Sequence, residues 1–562
     1  MKSIYFKNWI TGWHWGVRIA LLLMLLSGLM QLGMFVLTQN YMVGYLGAQP
    51  EDIQFGVMST YAGIITVIAV QFRFFRYFQT RGYLLVSLML SIVLNLLCIH
   101  CQDITLYLVI RFFQGILTGS ILLFTLLLMF TRLSSDRVKT IAPAVFYGAI
   151  LSNAALIGLV AGVVVESADW KVTYYYLIAF QLLVLIIVLL ILKPSSISKR
   201  YPLYQIDWTG MILFACGMLT LAYTVIYGSK YYWFADTRIL YGAVVTVIAA
   251  SLFLYRQHIL KRPLIHFGVF RSRNFVIGIG LLAIYYGSKD SVNLIYNYTG
   301  GVLKWSTFQV IILSVCNIAG MALLLVLSIR LILAQKINIK TLLITGFVLV
   351  AVFNLWMSFL LTPDLSFTDL LLPVFLQGAA SGVLFVPLMI FVLSSAPVNT
   401  GTSGLVVAAF ARFTATLNSF AGFYNLQLYF NQYFKERFLS YLTADNQNTI
   451  VRLDTYRSLY VSKGFTADQA SALANAAIGQ ALSQQSQLLT SRVVFMIFAV
   501  LTLATAILIL ALPAISKTFA HLNQRNNLLK NYHGQFNILS HGNAKYANSL
   551  YKEYPLPCGK LL

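Results

Sequence analysis

Charge is scarce in this 562-residue chain. Only 10% of positions are Asp, Glu, Lys or Arg, and acids number 16 against 39 bases. Hydrophobic residues make up 59%, and the mean hydropathy is +0.79. A soluble domain could not cover that much apolar surface with so few charges, so a water-soluble fold is excluded. Cysteine is scarce as well. Five residues provide no disulfide framework, and Cys98-Ile99-His100-Cys101 ends an apolar run with no second ligand pair to make it a metal site. No His/Asp/Glu cluster supplies catalytic or metal geometry, which argues against a membrane enzyme. Neither a P-loop nor a dinucleotide fingerprint is present, which argues against an ATP-driven pump and any nucleotide cofactor. The apolar runs are too long for strands and lack their period of two, which argues against a barrel.

What fills the chain instead is a series of apolar runs about twenty residues long, the length a helix needs to cross a bilayer core of roughly 30 Å. About fourteen spans are expected, at 17–38, 54–74, 82–101, 105–131, 140–165, 171–193, 206–228, 238–256, 274–297, 308–333, 341–361, 369–395, 402–430 and 492–515. The fold class is therefore an all-α polytopic membrane protein. Bases gather in every second gap, for example Arg73, Arg76 and Arg81, then Arg132, Arg137 and Lys139, then Arg256, Lys261 and Arg262. Acids such as Glu51, Asp52, Asp103, Glu166 and Asp169 fall in the alternate gaps. Cytoplasmic loops collect Lys and Arg. The net charge of +23 thus reads as membrane topology rather than nucleic-acid binding, and both termini are expected in the cytoplasm. The opening segment lacks a compact apolar core and cleavage site, so the first span is expected to act as its own insertion signal. The location expected is the inner (plasma) membrane, crossed many times.

The spans group as six, two and six. Residues 1–200 form a first six-helix bundle and 201–262 add two linker helices. Residues 263–515 form a second bundle with an external insertion at 431–491, and 516–562 are a basic cytoplasmic tail. Two such halves related by an axis along the membrane normal are the arrangement of major facilitator transporters. Within the insertion, Thr466-Ala467-Asp468-Gln469 has the form of a capping box, and Ala470, Leu473, Ala477, Ile478, Ala481 and Leu482 follow near helical spacing. This amphipathic helix either covers its own loop or offers a docking surface.

Several segments carry a family resemblance. Arg111-Phe112-Phe113-Gln114-Gly115 in span 4 looks like the R-x-x-Q-G motif of major facilitator antiporters. Ile206-Asp207-Trp208-Thr209-Gly210 opens span 7 as it does in fourteen-helix drug:proton antiporters of the EmrB/QacA type. His266 to Phe275 resembles the family's segment before span 9. Gly378, Gly382 and Pro387 resemble its glycine-rich helix, and Ser403-Gly404 followed by Arg412 resembles its S-G…R pattern. Gln484-Gln485-Ser486-Gln487 resembles its entry to the last span. The order of these segments over about residues 20–515 is more specific than any one of them. The chain is identified as a divergent member. The loop 73–82 lacks the family's Asp. Span 5 reads Gly158-Leu159-Val160-Ala161-Gly162 without the antiporter Pro, and span 1 has Gln31 where the family has Asp.

An ionisable residue inside a span is a functional candidate. Span 9 places Tyr286, Asp290, Asn293 and Asn297 on one helical face, and Lys289 beside Asp290 in sequence is expected to face away from it. Asp290 is the expected proton carrier, with a fixed structural ion pair or a position outside the apolar core as the alternatives, and Lys289 and Arg111 are the other coupling candidates. The resemblance implies that the first helix of each half lines a cavity. That cavity would comprise Ser27, Gln31, Met34, Thr38, Gln114, Tyr286, Asn293, Asn297 and Arg412. Gly115, Gly158, Gly162, Gly378 and Gly382 are expected to permit close packing or gating. It further implies proton-coupled efflux of amphipathic drugs by alternating access, with no metal. A periplasmic membrane-fusion adaptor and an outer-membrane channel are the implied partners. Rival readings are a transporter dedicated to one metabolite, such as a lipid, pigment or siderophore, and a non-transporting sensor or scaffold.

Overall fold

The computed structural model describes residues 5–130, 171–194 and 203–512, apart from isolated positions in the last stretch, together with scattered positions between 145 and 169. The first part supplies α1 (His14–Leu46), α2 (Pro50–Tyr77), α3 (Thr80–His100), α4 (Ile104–Phe130) and α5 (Lys171–Ile191). Two helices follow, α6 (Trp208–Tyr227) and α7 (Thr237–Ile259). The second part holds α8 (Arg273–Lys289), α9 (Val292–Gly301), α10 (Thr307–Leu333), α11 (Ile339–Leu360), α12 (Phe367–Ser395), α13 (Gly401–Leu417), α14 (Phe423–Leu439), α15 (Gln447–Ser462) and α16 (Ala467–Ala511). A π-turn, Asn418–Gly422, joins α13 to α14.

Helix starts follow local chemistry. Gln49/Asp52, Ser306/Gln309, Ser366/Asp369 and Thr466/Gln469 each close a capping box, which satisfies N–H groups that the first turn would otherwise orphan. Gly47, with φ of +57°, ends α1 in the left-handed conformation that glycine adopts without strain.

Twelve helices among the described residues are long and apolar enough to cross a membrane. Of the fourteen expected spans, 140–165 lies largely outside the described residues. The span expected at 274–297 is not continuous: it breaks between α8 and α9. The external helix and the last span, expected as separate elements, form the single 45-residue α16, about 68 Å long at 1.5 Å per residue. That is roughly twice the bilayer core. The part outside the span is braced by α14, where Ser486 donates to Asn431 (3.2 Å), and by α15, where Arg457 donates to Ser471 (2.8 Å).

Two helix pairs approach to backbone contact. A Cβ on Gly115 of α4 would collide with the Thr60 carbonyl of α2, and one on Gly63 with the Phe112 carbonyl. In the second part, a Cβ on Gly378 of α12 would collide with the Asn317 carbonyl of α10, and one on Gly320 with the Phe375 carbonyl. The same segment lies at both crossings: Phe112-x-Gln114-Gly115-x-x-Thr118-Gly119 and Phe375-x-Gln377-Gly378-x-x-Ser381-Gly382. The chain thus carries an internal repeat, and in both copies the first glycine seats a helix crossing.

Helices α6 and α7 are pinned to each other at one end by Asp207. Its carboxylate accepts from the Gly210 N–H (2.9 Å), Arg256 Nε (2.7 Å), Gln257 Nε2 (2.8 Å) and Thr209 Oγ1 (3.1 Å). Burial alone would raise this carboxyl, but the Arg256 guanidinium and the other donors outweigh it and hold it below its ordinary value. The Ile206–Gly210 motif is therefore a structural clamp, with Gly210 required because a side chain would strike Asp207. At the other end of α6, the Tyr227 hydroxyl donates to Asp52 of α2 (2.5 Å). Two further motifs meet each other, since the His266 N–H donates to Ser403 Oγ (2.9 Å).

Candidate functional site

The break in the ninth span builds the site. Asp290 ends α8 with φ −79° and ψ 3°, and Ser291 separates it from α9. Short-range bonds replace the helical ladder here: Ser291 N–H to the Ser288 carbonyl (3.2 Å) and Leu294 N–H to the Ser291 carbonyl (3.1 Å). A helix interrupted at buried positions, here Ser288 and Ser291, must have its loosened backbone groups satisfied by neighbours. Gln377 of α12 does this, donating to the Lys289 carbonyl (2.7 Å), and Asn317 of α10 holds Gln377 through a 2.6 Å bond to Oε1. The repeat's second Gln-Gly thus serves twice, with the glycine seating a crossing and the glutamine bracing the break.

The break corrects one expectation. Residues i and i+1 point apart on a helix, but Asp290 is the cap and not an interior residue. Its carboxylate lies 3.3 Å from Lys289 Nζ. For the same reason Tyr286, Asp290, Asn293 and Asn297 do not share one continuous face. The Lys289 and Asp290 side chains remain 28% and 23% exposed, so the pair is not sealed in the core. Ser419, on the π-turn, donates to the other carboxylate oxygen (2.9 Å). π-turns occur frequently at functional sites, and this one faces a helix break. The next residue, Phe420, packs against the cluster of Ile53, Val57 and Tyr107 in the first part of the chain.

Arg412 of α13 lies beside the pair. Its guanidinium carbon sits 4.7 Å from the Tyr286 ring centre and 5.4 Å from that of Tyr61 in α2, so one cation bridges aromatic faces from both parts of the chain. Phe413 stacks on Tyr61 at 6.3 Å.

The first part holds a different arrangement. Gln31 of α1, Ser91 and Asn95 of α3, Gln114 of α4 and Gln181 of α5 are fully buried and bonded to one another. Ser91 donates to Gln31 (2.7 Å), Gln181 to Ser91 (2.9 Å), Asn95 to Gln181 (3.0 Å), Gln31 to Asn95 (3.3 Å) and Gln114 to Asn95 (2.9 Å). Arg111 closes the end by donating to Gln114 Oε1 (2.8 Å). Gln114 also donates to Cys98 Sγ (3.2 Å), which places that cysteine at the edge of this network.

The expected residues therefore separate into groups. Asp290, Lys289, Tyr286 and Arg412 come together, while Gln31, Gln114 and Arg111 form the amide network. Ser27 bonds within its own helix, to the Met24 carbonyl (2.8 Å), and Asn293 is exposed. Gly115, Gly378 and Gly382 sit at helix crossings. Gly158 and Gly162 lie outside the described residues, as do the side chains of Met34, Thr38 and Asn297. The sequence reading passed over Tyr61, Ser91, Asn95, Gln181, Asn317, Gln377 and Ser419. Lone amides inside apolar runs, and the repeated Gln-Gly, were the available signals.

Comparison with known proteins agrees with this architecture. The sequence model of the Major Facilitator Superfamily matches residues 19–422. The chain is 22% identical over 416 residues to a probable multidrug resistance protein, EmrY, of Escherichia coli, covering 71% of this chain and 78% of that one. It is 24% identical to the multidrug export protein EmrB of Haemophilus influenzae, covering 60% and 65%. A crystal structure of a POT family transporter in complex with 5-aminolevulinic acid superposes with a TM-score of 0.55 at 14% identity, covering 88% of this chain and 96% of that one. With twelve membrane-competent helices among its described residues and a family match over most of its length, the chain is a secondary transporter belonging to the Major Facilitator Superfamily.

Proposed function

We propose that this transporter exports amphipathic compounds by alternating access, driven by protons that bind at Asp290. The observation that carries the reading is the carboxylate at the break, held by Lys289 on its own helix and by Ser419 on a π-turn. A charge at membrane depth is costly, so adding a proton to Asp290 would dissolve the ion pair and loosen the bond to Ser419. Phe420 follows Ser419 and packs against the first part of the chain. A local protonation would thereby reach the interface that has to open and close. Arg412, seated between Tyr61 and Tyr286, marks the same interface.

The multidrug export names of the relatives support efflux as the direction. In a cell with two membranes, the long α16 and its brace would offer a periplasmic adaptor its contact surface. Both termini would lie in the cytoplasm.

Dye efflux from cells lacking their major pumps tests the reading. Wild-type efflux is expected to stop with a protonophore, and Asp290→Asn is expected to reduce it by about a hundredfold at unchanged membrane abundance. Full efflux by a well-expressed Asp290→Asn protein would sink the assignment.

A further inference from the structure

The charges around the break also say what kind of substrate the site accepts. Away from the ends of the apolar runs, the sequence holds three bases, Arg111, Lys289 and Arg412, and one acid, Asp290. Arg111 belongs to the buried amide network. The site therefore carries Lys289 and Arg412 against a single carboxylate, which is already engaged at 3.3 Å by Lys289 and at 2.9 Å by Ser419. Among the described residues, no carboxylate lies within 4.0 Å of Arg412; its neighbours are the faces of Tyr61 and Tyr286.

We propose that the transported species is an amphipathic organic anion, whose carboxylate or sulfonate meets Arg412 and whose apolar body lies along Tyr61, the partly exposed ring beside that guanidinium. The inference rests on the export reading of this same site. A guanidinium offers a planar fork of donors matched to such an acid group. A ligand that brought the missing negative charge would offset the cost of keeping two cations beside one acid at membrane depth. A cationic compound would meet two like charges and an acid already engaged by the protein, which is the repulsive half of specificity.

The test is equilibrium binding to the purified full-length protein in detergent. Fluorescence anisotropy would compare fluorescein, an anionic xanthene, with rhodamine 6G, a cationic one on the same ring system; decanoate and naphthalene sulfonate would serve as competitors. Fluorescein is expected to bind at least about tenfold more tightly than rhodamine 6G. Arg412→Gln is expected to weaken it by about tenfold or more, the loss of one charge-assisted contact. Asp290→Asn is expected to tighten fluorescein a few-fold, because it removes the competing negative charge; a site for cations would lose its ligand with that substitution. Arg412→Lys, which keeps the charge but not the fork, is expected to fall between wild type and Arg412→Gln. Preferential binding of rhodamine 6G abolished by Asp290→Asn would overturn the proposal, as would failure of all three anions to bind. Anion binding without gradient-driven flux in proteoliposomes would leave this inference standing and remove the proton-coupling reading. Gradient-driven flux of rhodamine 6G alone would do the reverse.

Discussion

The two copies of the Phe-x-Gln-Gly-x-x-Ser/Thr-Gly segment lie at equivalent helix crossings but in opposite surroundings. Gln114 sits in a closed, fully buried network of amides and a serine, capped by one arginine. Gln377 sits beside an opened helix, bonded to a backbone carbonyl next to a partly exposed ion pair. The amide network contains no carboxylate, and each of its members keeps the others in place. Satisfied buried networks of this kind specify one rigid arrangement. The region around Asp290 combines a helix break, a π-turn and a titratable group. This contrast assigns the first part the role of a stiff wall and the second the role of the responsive element.

Substitutions at the repeat would break or sharpen this contrast. The largest effect is expected from Gly378→Val and Gly115→Val, because both would drive a side chain into a neighbouring backbone carbonyl. Each should lower stability by at least about 1–3 kcal/mol, the scale of overpacking a close crossing, or prevent insertion altogether. Thermal unfolding of the detergent-solubilised protein would show it. If one valine were tolerated and the other not, the two crossings would not be equivalent.

The glutamines should separate the two roles. Gln114→Leu leaves buried polar partners unsatisfied and should lower stability by about 1–3 kcal/mol, with little change in how flux depends on pH. Gln377→Leu removes the brace from the Lys289 carbonyl. It should shift the pH profile of flux and reduce gradient-driven transport by about tenfold, the rate equivalent of about 1.4 kcal/mol. Identical behaviour of the two variants would erase the proposed difference between the halves.

The clamp at Asp207 should show the smallest effect. Its carboxyl is held below the ordinary carboxylate value, so the bonds it makes contribute stability above the unfolded-state value, about 3.9, and that stability is lost as pH falls through the lower folded-state value. Asp207→Asn should cost about 1 kcal/mol, of the order of a lost cap. It should also flatten the acid side of a stability profile measured from pH 7 down to pH 3, while leaving the amide network and the Asp290 site intact. An unchanged acid limb would remove Asp207 from that account.

Much of the fold was readable because twenty-residue apolar runs and helix caps are local signals. Thr466 and Gln469 show this, since they open α16 as their spacing implied. The site was less readable. Asp290 stood out as the one mid-span acid, but its pairing with Lys289 depends on a helix break that apolar periodicity does not reveal. Ser419 was hidden for a related reason: its direction is set by a π-turn, which shifts every following side chain relative to an ideal helix. Gln377 was hidden by its setting in a glycine-rich helix, although its likeness to Gln114-Gly115 is visible once both segments are placed side by side. Gln31 drew notice through the family's missing acid, yet its partners Asn95 and Gln181 come from distant helices and required the packed structure.

The central claim is that the proton enters at Asp290. Its most direct test is proton movement in proteoliposomes loaded with a pH-sensitive dye, comparing wild type with Asp290→Asn on addition of a transported substrate. The account predicts substrate-dependent proton flux in wild type and none in Asp290→Asn, while substrate exchange at equal pH on both sides persists in the variant. Proton flux of equal size in the two proteins would contradict it.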